Sequence, residues 1–300
     1  MRLLVIGCAG QLARALVRAG SAAGHAVTAL GRPGFDLADR PSIAPALAAA
    51  APDLVVNAAA YTAVDRAEAE PEAAFRLNAE AAGWLAEAAA ARHVPFVHVS
   101  TDYVFDGAGG APYAEDTPPN PLGVYGASKL AGEDRVLAAH SRSLVLRTSW
   151  LCGTEGANFI KTMLRLAAER PLLRVVADQH GAPSFANDLA KAILRLAPGL
   201  VAARAGDPAF GLFHLTGAPH TTWHGFAEAI LDRAALRGHP RPALEAITTA
   251  EYPTPARRPA DSRLDCGRIG RVHGIAPADW RVALDDCLDA LVGPLREGAR

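Results

Sequence analysis

Met1-Arg2-Leu3-Leu4-Val5-Ile6-Gly7-Cys8-Ala9-Gly10-Gln11-Leu12-Ala13 is the segment on which the fold assignment turns. Leu3–Ile6 is an apolar run of strand length that feeds a glycine turn. A helical pattern comes next, with Leu12, Leu16 and Ala19 on one side and Arg14 and Arg18 on the other. Strand, glycine turn and helix in succession are the context that a dinucleotide fingerprint requires. Gly7 can supply the tight turn. Gly10 lets the backbone approach a pyrophosphate at a helix N-terminus, whose partial positive charge favours anions. The third glycine position holds Ala13, which the fingerprint tolerates. A secretory signal is the competing reading, because Arg2 precedes an apolar stretch. That stretch is too short, Arg14 and Arg18 interrupt the helix after it, and no small-residue cleavage site closes it.

Beyond this unit, apolar runs alternate with helical patterns. Strands are expected at Leu3–Ile6, Ala26–Leu30, Leu54–Asn57, Phe96–Val99 and Leu144–Arg147, with later ones near Leu173–Val176 and Phe213–Leu215. Near-continuous apolar runs suit a parallel sheet covered on both faces. Helices are expected over Ala73–Ala91 and Ser128–Ala139. The alternation predicts an α/β fold, a doubly wound parallel sheet of Rossmann type, with ligands at the carboxyl ends of the strands. The final third is broken by prolines at positions 240, 242, 253, 255 and 259 and reads as a second, smaller substrate-binding lobe. Residues 1–150 and about 171–210 are therefore assigned to the dinucleotide-binding domain, and about 151–170 and 211–300 to the lobe.

The 300 residues are half hydrophobic and carry a net charge of −1 with both signs scattered, so neither a nucleic-acid groove nor a membrane surface is indicated. No apolar run approaches the ~20 residues of a membrane span. The four cysteines form no Cys-x-x-Cys pair, and reduced thiols in a cytoplasmic protein are the simplest reading.

The chemistry-bearing stretch is Tyr125-Gly126-Ala127-Ser128-Lys129, preceded by Ser100-Thr101-Asp102-Tyr103. On a helix, Tyr125 and Lys129 share one face. A free phenol titrates near 10, and a neighbouring ammonium is expected to lower that value and let the pair trade a proton with a substrate oxygen. Thr101 adds a hydroxyl suited to holding a carbonyl oxygen. Together these are the parts needed to interconvert a ketone and an alcohol. Tyr-x-x-x-Lys alone also describes many exposed helix faces; the fingerprint upstream is what gives it weight.

Beyond the second strand, where an NAD site usually places an acidic residue, stand Gly31 and Arg32. A guanidinium can pair with a 2′-phosphate, which favours NADPH, with NADH possible. Asp36 either bonds the adenine region or caps a turn. The small residues Ala58, Ala59 and Ala60 at a strand end let a flat cofactor lie against the backbone, though helix–sheet packing would use them equally. His220 and His224 have the spacing of a zinc pair but lack the glutamate of His-Glu-x-x-His, so surface histidines on a helix starting near Thr221 or Thr222 are expected, not a metal site. Trp150, at a strand end, is either core or a platform for a sugar.

In order along the chain, Gly7–Leu12, Asn57–Asp65 (NAAAYTAVD), Ser100–Gly107 (STDYVFDG), Tyr125–Lys129, Arg147–Trp150 (RTSW), Asp178–Pro183 (DQHGAP) and Arg258–Asp265 (RPADSRLD) together resemble the dTDP-4-dehydrorhamnose reductase family of extended short-chain dehydrogenases. The resemblance implies reduction of the C4 ketone of dTDP-4-dehydro-L-rhamnose by NAD(P)H. It implies Tyr125 as proton donor, Lys129 as its partner at the nicotinamide ribose and Thr101 on the C4 oxygen. Asp102 and Trp150 would lie beside the sugar. Gly10, Gln11, Leu12, Asp36, Leu37, Ala60, Tyr61 and Thr62 would contact the cofactor. Ala13, Ser184 and Asp261 depart from the family pattern, and Asp261 puts a negative charge where a diphosphate is expected nearby. Some members hold magnesium between subunits on acidic residues. The matching positions here are Ala15 and Asn187, which argues against magnesium and that dimer and leaves a monomer or weak homodimer. Two alternatives remain: another nucleotide-sugar epimerase or reductase, or a non-catalytic regulatory subunit on the same fold. A dehydratase would carry glutamate after Asp102, where Tyr103 stands.

Overall fold

Six short runs, several of them apolar throughout, become the strands of one parallel sheet. In the computed structural model, which describes residues 1–295, these are β1 (Arg2–Ile6), β2 (Ala26–Leu30), β3 (Leu54–Asn57), β4 (Phe96–Thr101), β5 (Ser143–Thr148) and β6 (Gly211–His214). They pair in the order β6-β5-β4-β3-β1-β2, every pair parallel. Successive side chains leave a strand on opposite faces. Leu3 and Val5 thus meet the helices Gln11–Ala22 and Ala186–Ala202 on one face. Leu4 and Ile6 meet Arg40–Ala50 and Ala81–Ala91 on the other. Both faces are dry, so the doubly wound expectation is met. The strand order reverses between β1 and β3, and a crevice opens outside the carboxyl ends there.

The smaller lobe has its own core. Ile160, Phe226, Ile230 and Leu284 come from the helices Phe159–Glu169, Trp223–Ala235 and Trp280–Val292. Against them lies a two-stranded parallel sheet of Leu172–Val176 and Ala243–Ile247.

Two segments expected on one side of the division lie on the other. Leu172–Val176 packs in the lobe instead of the central sheet. Only alternate residues are buried, and Arg174 reaches across to Glu245 at the surface, as in a strand with one face on a small core. Gly211–His214, expected in the lobe, is the edge strand β6, registered against Leu144–Arg147. The last five residues of the span assigned to the lobe lie outside the described residues.

The helix expected over Ala73–Ala91 is longer and interrupted. Pro71–Phe75 leads into a π-helical turn, Arg76–Glu80, before Ala81–Ala91. The helix expected from Ser128 begins earlier, at Val124, which brings Tyr125 into its first turn.

Candidate active site

Where β1 ends, Gly7 adopts φ +106°, a conformation that disfavours any side chain, and its α-carbon faces the backbone of Ala58 so closely that a Cβ would meet it at 3.3 Å. The chain then enters helix Gln11–Ala22 at Gly10, which has no side-chain cap. A Cβ at Gly10 would meet no protein atom within 4 Å, so the helix N-terminus opens on free space. Gln11 turns its side chain away and ties the sheet to the lobe: its Nε2 donates to Leu151 O (3.3 Å) and its Oε1 accepts from Asn158 (3.0 Å).

This free space is a cleft of about 800 Å³ at the carboxyl ends of the strands. Gly7, Gly10, Gln11, Leu12, Arg32, Asp36, Leu37, Ala58, Ala59, Ala60 and Thr62 line one end, and Thr101, Asp102, Tyr125, Lys129 and Trp150 line the other. Tyr61 does not line it. Its hydroxyl donates to Glu70 (2.7 Å) and its amide to Asn78 Oδ1 (2.7 Å), so the side chain points out of the cleft. Of the expected Ala60-Tyr61-Thr62 contacts, the structure therefore leaves Tyr61 its backbone only. Arg32 is exposed at the mouth. At Gly31 a Cβ would strike Cys8 Sγ at 2.7 Å, so this strand end has no room for an acidic side chain without moving Cys8. Asp36 lines the cleft and also accepts the amide of Ala38 (3.0 Å), closing a turn. The uncapped helix end, the glycine cradle and the alanine wall suit the pyrophosphate and planar rings of a dinucleotide.

At the other end, β4 delivers Thr101 in extended conformation, and a 3₁₀ turn over Asp102–Val104 comes directly after it. The Thr101 hydroxyl donates to Asp102 Oδ1 (3.0 Å) and accepts the amide of Tyr103 (3.2 Å). Asp102 is 2% exposed, and burial pushes its carboxyl up to about 6 against the opposing hydroxyls of Ser262 and Thr101. Tyr125 stands edge-on to Tyr103, ring centres 5.5 Å apart.

The sequence-based expectation that Lys129 acidifies Tyr125 is corrected here. Burial pushes the phenol up to about 12; a hydrogen bond with Thr101 opposes the shift and the Asp102 charge adds to it. The Lys129 ammonium is turned elsewhere, donating to Val99 O (2.7 Å) and meeting His98 Nε2 at 3.3 Å. Burial brings Lys129 itself down to about 8, partly opposed by Glu133. That glutamate is already clamped by Arg147, whose Nε lies 2.9 Å from Oε1 and whose Nη2 lies 2.6 Å from Oε2.

Trp150 occupies left-handed backbone space, φ +45°. Its ring lies against the backbone of Gly181, where a Cβ would come within 2.5 Å of it. On its other side it stacks on Trp223 with ring centres 3.7 Å apart. Trp223 itself lines the cleft. It was missed from sequence, where only the flanking histidines have a recognisable spacing. The helix there starts as expected, Thr222 accepting the amide of Gly225 (3.0 Å). Asn57 and His98 were missed as well, although polar residues inside strands buried on both faces were a signal. Asp261 is 6% exposed and paired with Arg263, so its charge is balanced within the lobe. Ala15 is buried in the core, and Asn187 accepts from Arg18 (2.8 Å).

A doubly wound sheet, a glycine turn at the switch point, and a threonine, tyrosine and lysine converging at the strand ends define the class: a short-chain dehydrogenase/reductase. The family model described as RmlD substrate binding domain matches residues 1–292. The dTDP-4-dehydrorhamnose reductase of Sinorhizobium fredii (strain NBRC 101917 / NGR234) is 46% identical over 283 residues, 93% of this chain and 94% of that protein. Among solved structures, the dTDP-4-dehydrorhamnose reductase of Clostridium acetobutylicum ATCC 824 superposes with a TM-score of 0.90 at 33% identity, covering 97% of this chain and 99% of that one. The Bacillus anthracis str. Ames reductase, solved in complex with NADP, gives 0.89 at 31% identity over 96% and 99%. The chain belongs to the dTDP-4-dehydrorhamnose reductase family.

Proposed function

We propose that the protein reduces the C4 ketone of dTDP-4-dehydro-L-rhamnose to the alcohol of dTDP-L-rhamnose, using NADPH in preference to NADH. The observation that carries this reading is a neutral phenol, Tyr125, set beside the Thr101 hydroxyl in a cleft whose far end suits a dinucleotide. A reductase must begin its cycle with a proton on the acid. A phenol held near 12 keeps that proton at neutral pH. A bound reduced nicotinamide supplies the hydride. Tyr125 holds its proton toward the oxygen that gathers negative charge, and Thr101 offers a second donor. The single Thr101 proton goes to Asp102 in the free protein, so serving a substrate oxygen means giving up that bond. Lys129 lies one turn further along the same helix; its amine is held by Val99 and His98 in the free protein, and a phenolate formed on Tyr125 would be favoured only by whatever charge that amine carries. Trp150, backed by Trp223, forms an apolar wall for the sugar. Arg32 at the mouth, with no acidic side chain beside it, supports the 2′-phosphate. The family relatives support the dTDP sugar. A soluble cytoplasmic enzyme, monomeric or weakly dimeric, fits this reading; among the described residues no helix is long and apolar enough to cross a membrane.

The test is a coupled assay with synthesised dTDP-4-dehydro-L-rhamnose, following oxidation of NADPH and NADH in parallel with and without EDTA. Turnover that is faster with NADPH and indifferent to EDTA is expected. An inert enzyme, or one that arrives with tightly bound NAD and consumes neither added cofactor, would refute the assignment.

A further inference from the structure

The buried end of Lys129 is part of a hydrogen-bond chain whose directions can be worked out. The Ala59 amide donates to Asn57 Oδ1 at 3.1 Å. That fixes the carboxamide, because an amide N–H needs an acceptor. Asn57 Nδ2, a donor, then lies 3.1 Å from His98 Nδ1. His98 is fully buried, and burial together with the Lys129 charge holds its imidazole well below the usual range, so it is neutral. A neutral imidazole whose Nδ1 accepts must carry its proton on Nε2. That Nε2–H points at Lys129 Nζ, 3.3 Å away. Nζ meanwhile donates to Val99 O at 2.7 Å. An ammonium has no lone pair to receive the Nε2–H, whereas a neutral amine has one.

We propose that Asn57 and His98 are positioning residues that fix the direction of the hydrogen bond to Lys129, so that His98 donates to it and a neutral Nζ is favoured. The chain Ala59–Asn57–His98 acts as a bias on one proton. Charging Lys129 sets two donors face to face, unless the imidazole changes tautomer and the Asn57 carboxamide turns over. Burial pushes Nζ the same way, to about 8. The other titratable groups around Nζ are accounted for. Tyr125 and Glu133 lie on its own helix, Glu133 being clamped by Arg147 of β5 and bonded by Ser100 of β4. Asp102 comes just after β4. On the helical elements packed against that helix, Arg76 pairs with Glu80, Glu87 with Arg40 and Asp65 with Arg258. The significance for turnover rests on the reductase reading, because the uncharged amine is the weaker support for a phenolate. The consequence is an alkaline limit on activity set by a histidine and an asparagine that never reach substrate.

The experiment reads the free, full-length protein, so it does not depend on the substrate being right. The chain has three lysines, Lys129, Lys161 and Lys191, and isotope labelling of lysine resolves them by NMR. Nitrogen NMR of labelled histidine reads the His98 tautomer. The expected result is an Nε2–H tautomer in the unmodified protein and a Lys129 titration near pH 8. Asn57→Asp supplies a carboxylate that accepts from both Ala59 and the imidazole. It should switch His98 to Nδ1–H and raise the Lys129 proton affinity tenfold or more. A second protein, Asn57→Asp combined with His98→Phe, separates the relay from plain charge. If the rise survives loss of the ring, or if His98 carries its proton on Nδ1 from the outset, the proposal is overturned. Should the double variant not fold, the tautomer switch in Asn57→Asp decides by itself. The alkaline limb of kcat should track the Lys129 titration, and a merely structural role for His98 would leave that limb where it is. An unmodified enzyme inert in the reductase assay but showing the NMR behaviour refutes the function reading alone.

Discussion

Tyr125 is accessible from the cleft, yet its surroundings raise the phenol instead of lowering it. The reason is where one amine points: Lys129 donates to the Val99 carbonyl and faces His98 instead of the phenol, because a buried N–H left unpaired costs about 1–3 kcal/mol. The phenol keeps its proton, which is the state a ketone reductase needs at the start of its cycle. Tyr125→Phe removes the acid and leaves the helix and the dinucleotide end of the cleft untouched. The expected result is a fall in kcat of at least about a hundredfold with little change in NADPH affinity, read by steady-state kinetics beside a fluorescence titration of the cofactor. A near-normal rate would show that the proton comes from elsewhere. The tyrosine and lysine were legible from their spacing together with the fingerprint upstream. The direction of Lys129 was not, because its partners, Val99 and His98, sit on a strand some 30 residues upstream.

Among the elements, one short antiparallel contact shapes the Trp150 end of the cleft. His180–Gly181 pairs with Thr221–Thr222, the latter leading straight into the helix that carries Trp223. Trp150 comes from the loop after β5, and its ring is held between the Gly181 backbone and Trp223. The left-handed backbone of Trp150 is a strain that this packing sustains. A methyl group at position 181 would overlap the indole, and overpacking of this kind costs typically about 1–3 kcal/mol. Gly181→Ala is therefore expected to tilt Trp150 out of its stack. Substrate KM should rise about tenfold, with cofactor affinity kept and a changed near-ultraviolet circular dichroism signal. Unchanged KM would mean that the tryptophan wall takes no part in binding. In the sequence, the DQHGAP motif marked this glycine, but nothing there said which ring it faces.

For the protein in its entirety, the buried Asp102 carboxyl links function to stability. Its value in the folded state, about 6, lies above the ordinary 3.8. Folding therefore favours the protonated form: the stabilisation is complete below about pH 3.8 and is lost as pH rises through about 6. At about 1.4 kcal/mol per pH unit, carrying the charge at neutral pH costs up to roughly 3 kcal/mol. Asp102→Asn does not bear that cost. Its Tm is expected to exceed that of the unmodified protein by several degrees at pH 7, the gap narrowing toward pH 4, while turnover falls because the sugar end of the cleft is altered. Thermal melts of both proteins across that range check this. A gap that does not vary with pH would show that the carboxyl is not under strain in the folded state.

Local pattern in the chain was enough to read the parallel sheet, the glycine turn and the residues that meet in the cleft, Tyr125 and Lys129 among them. All of these are written in short-range periodicity and spacing, since strand pleat and helix pitch repeat within a few residues. Four features were settled only when distant segments met. Tyr61 is held by Asn78, and Trp223 backs Trp150. Leu172–Val176 belongs to the lobe while Gly211–His214 closes the sheet edge, and Lys129 donates to Val99 and meets His98. One cause is common to all four. Hydrogen-bond direction, ring stacking and burial depend on which remote partner wins a limited set of contacts, and short-range periodicity does not record that competition.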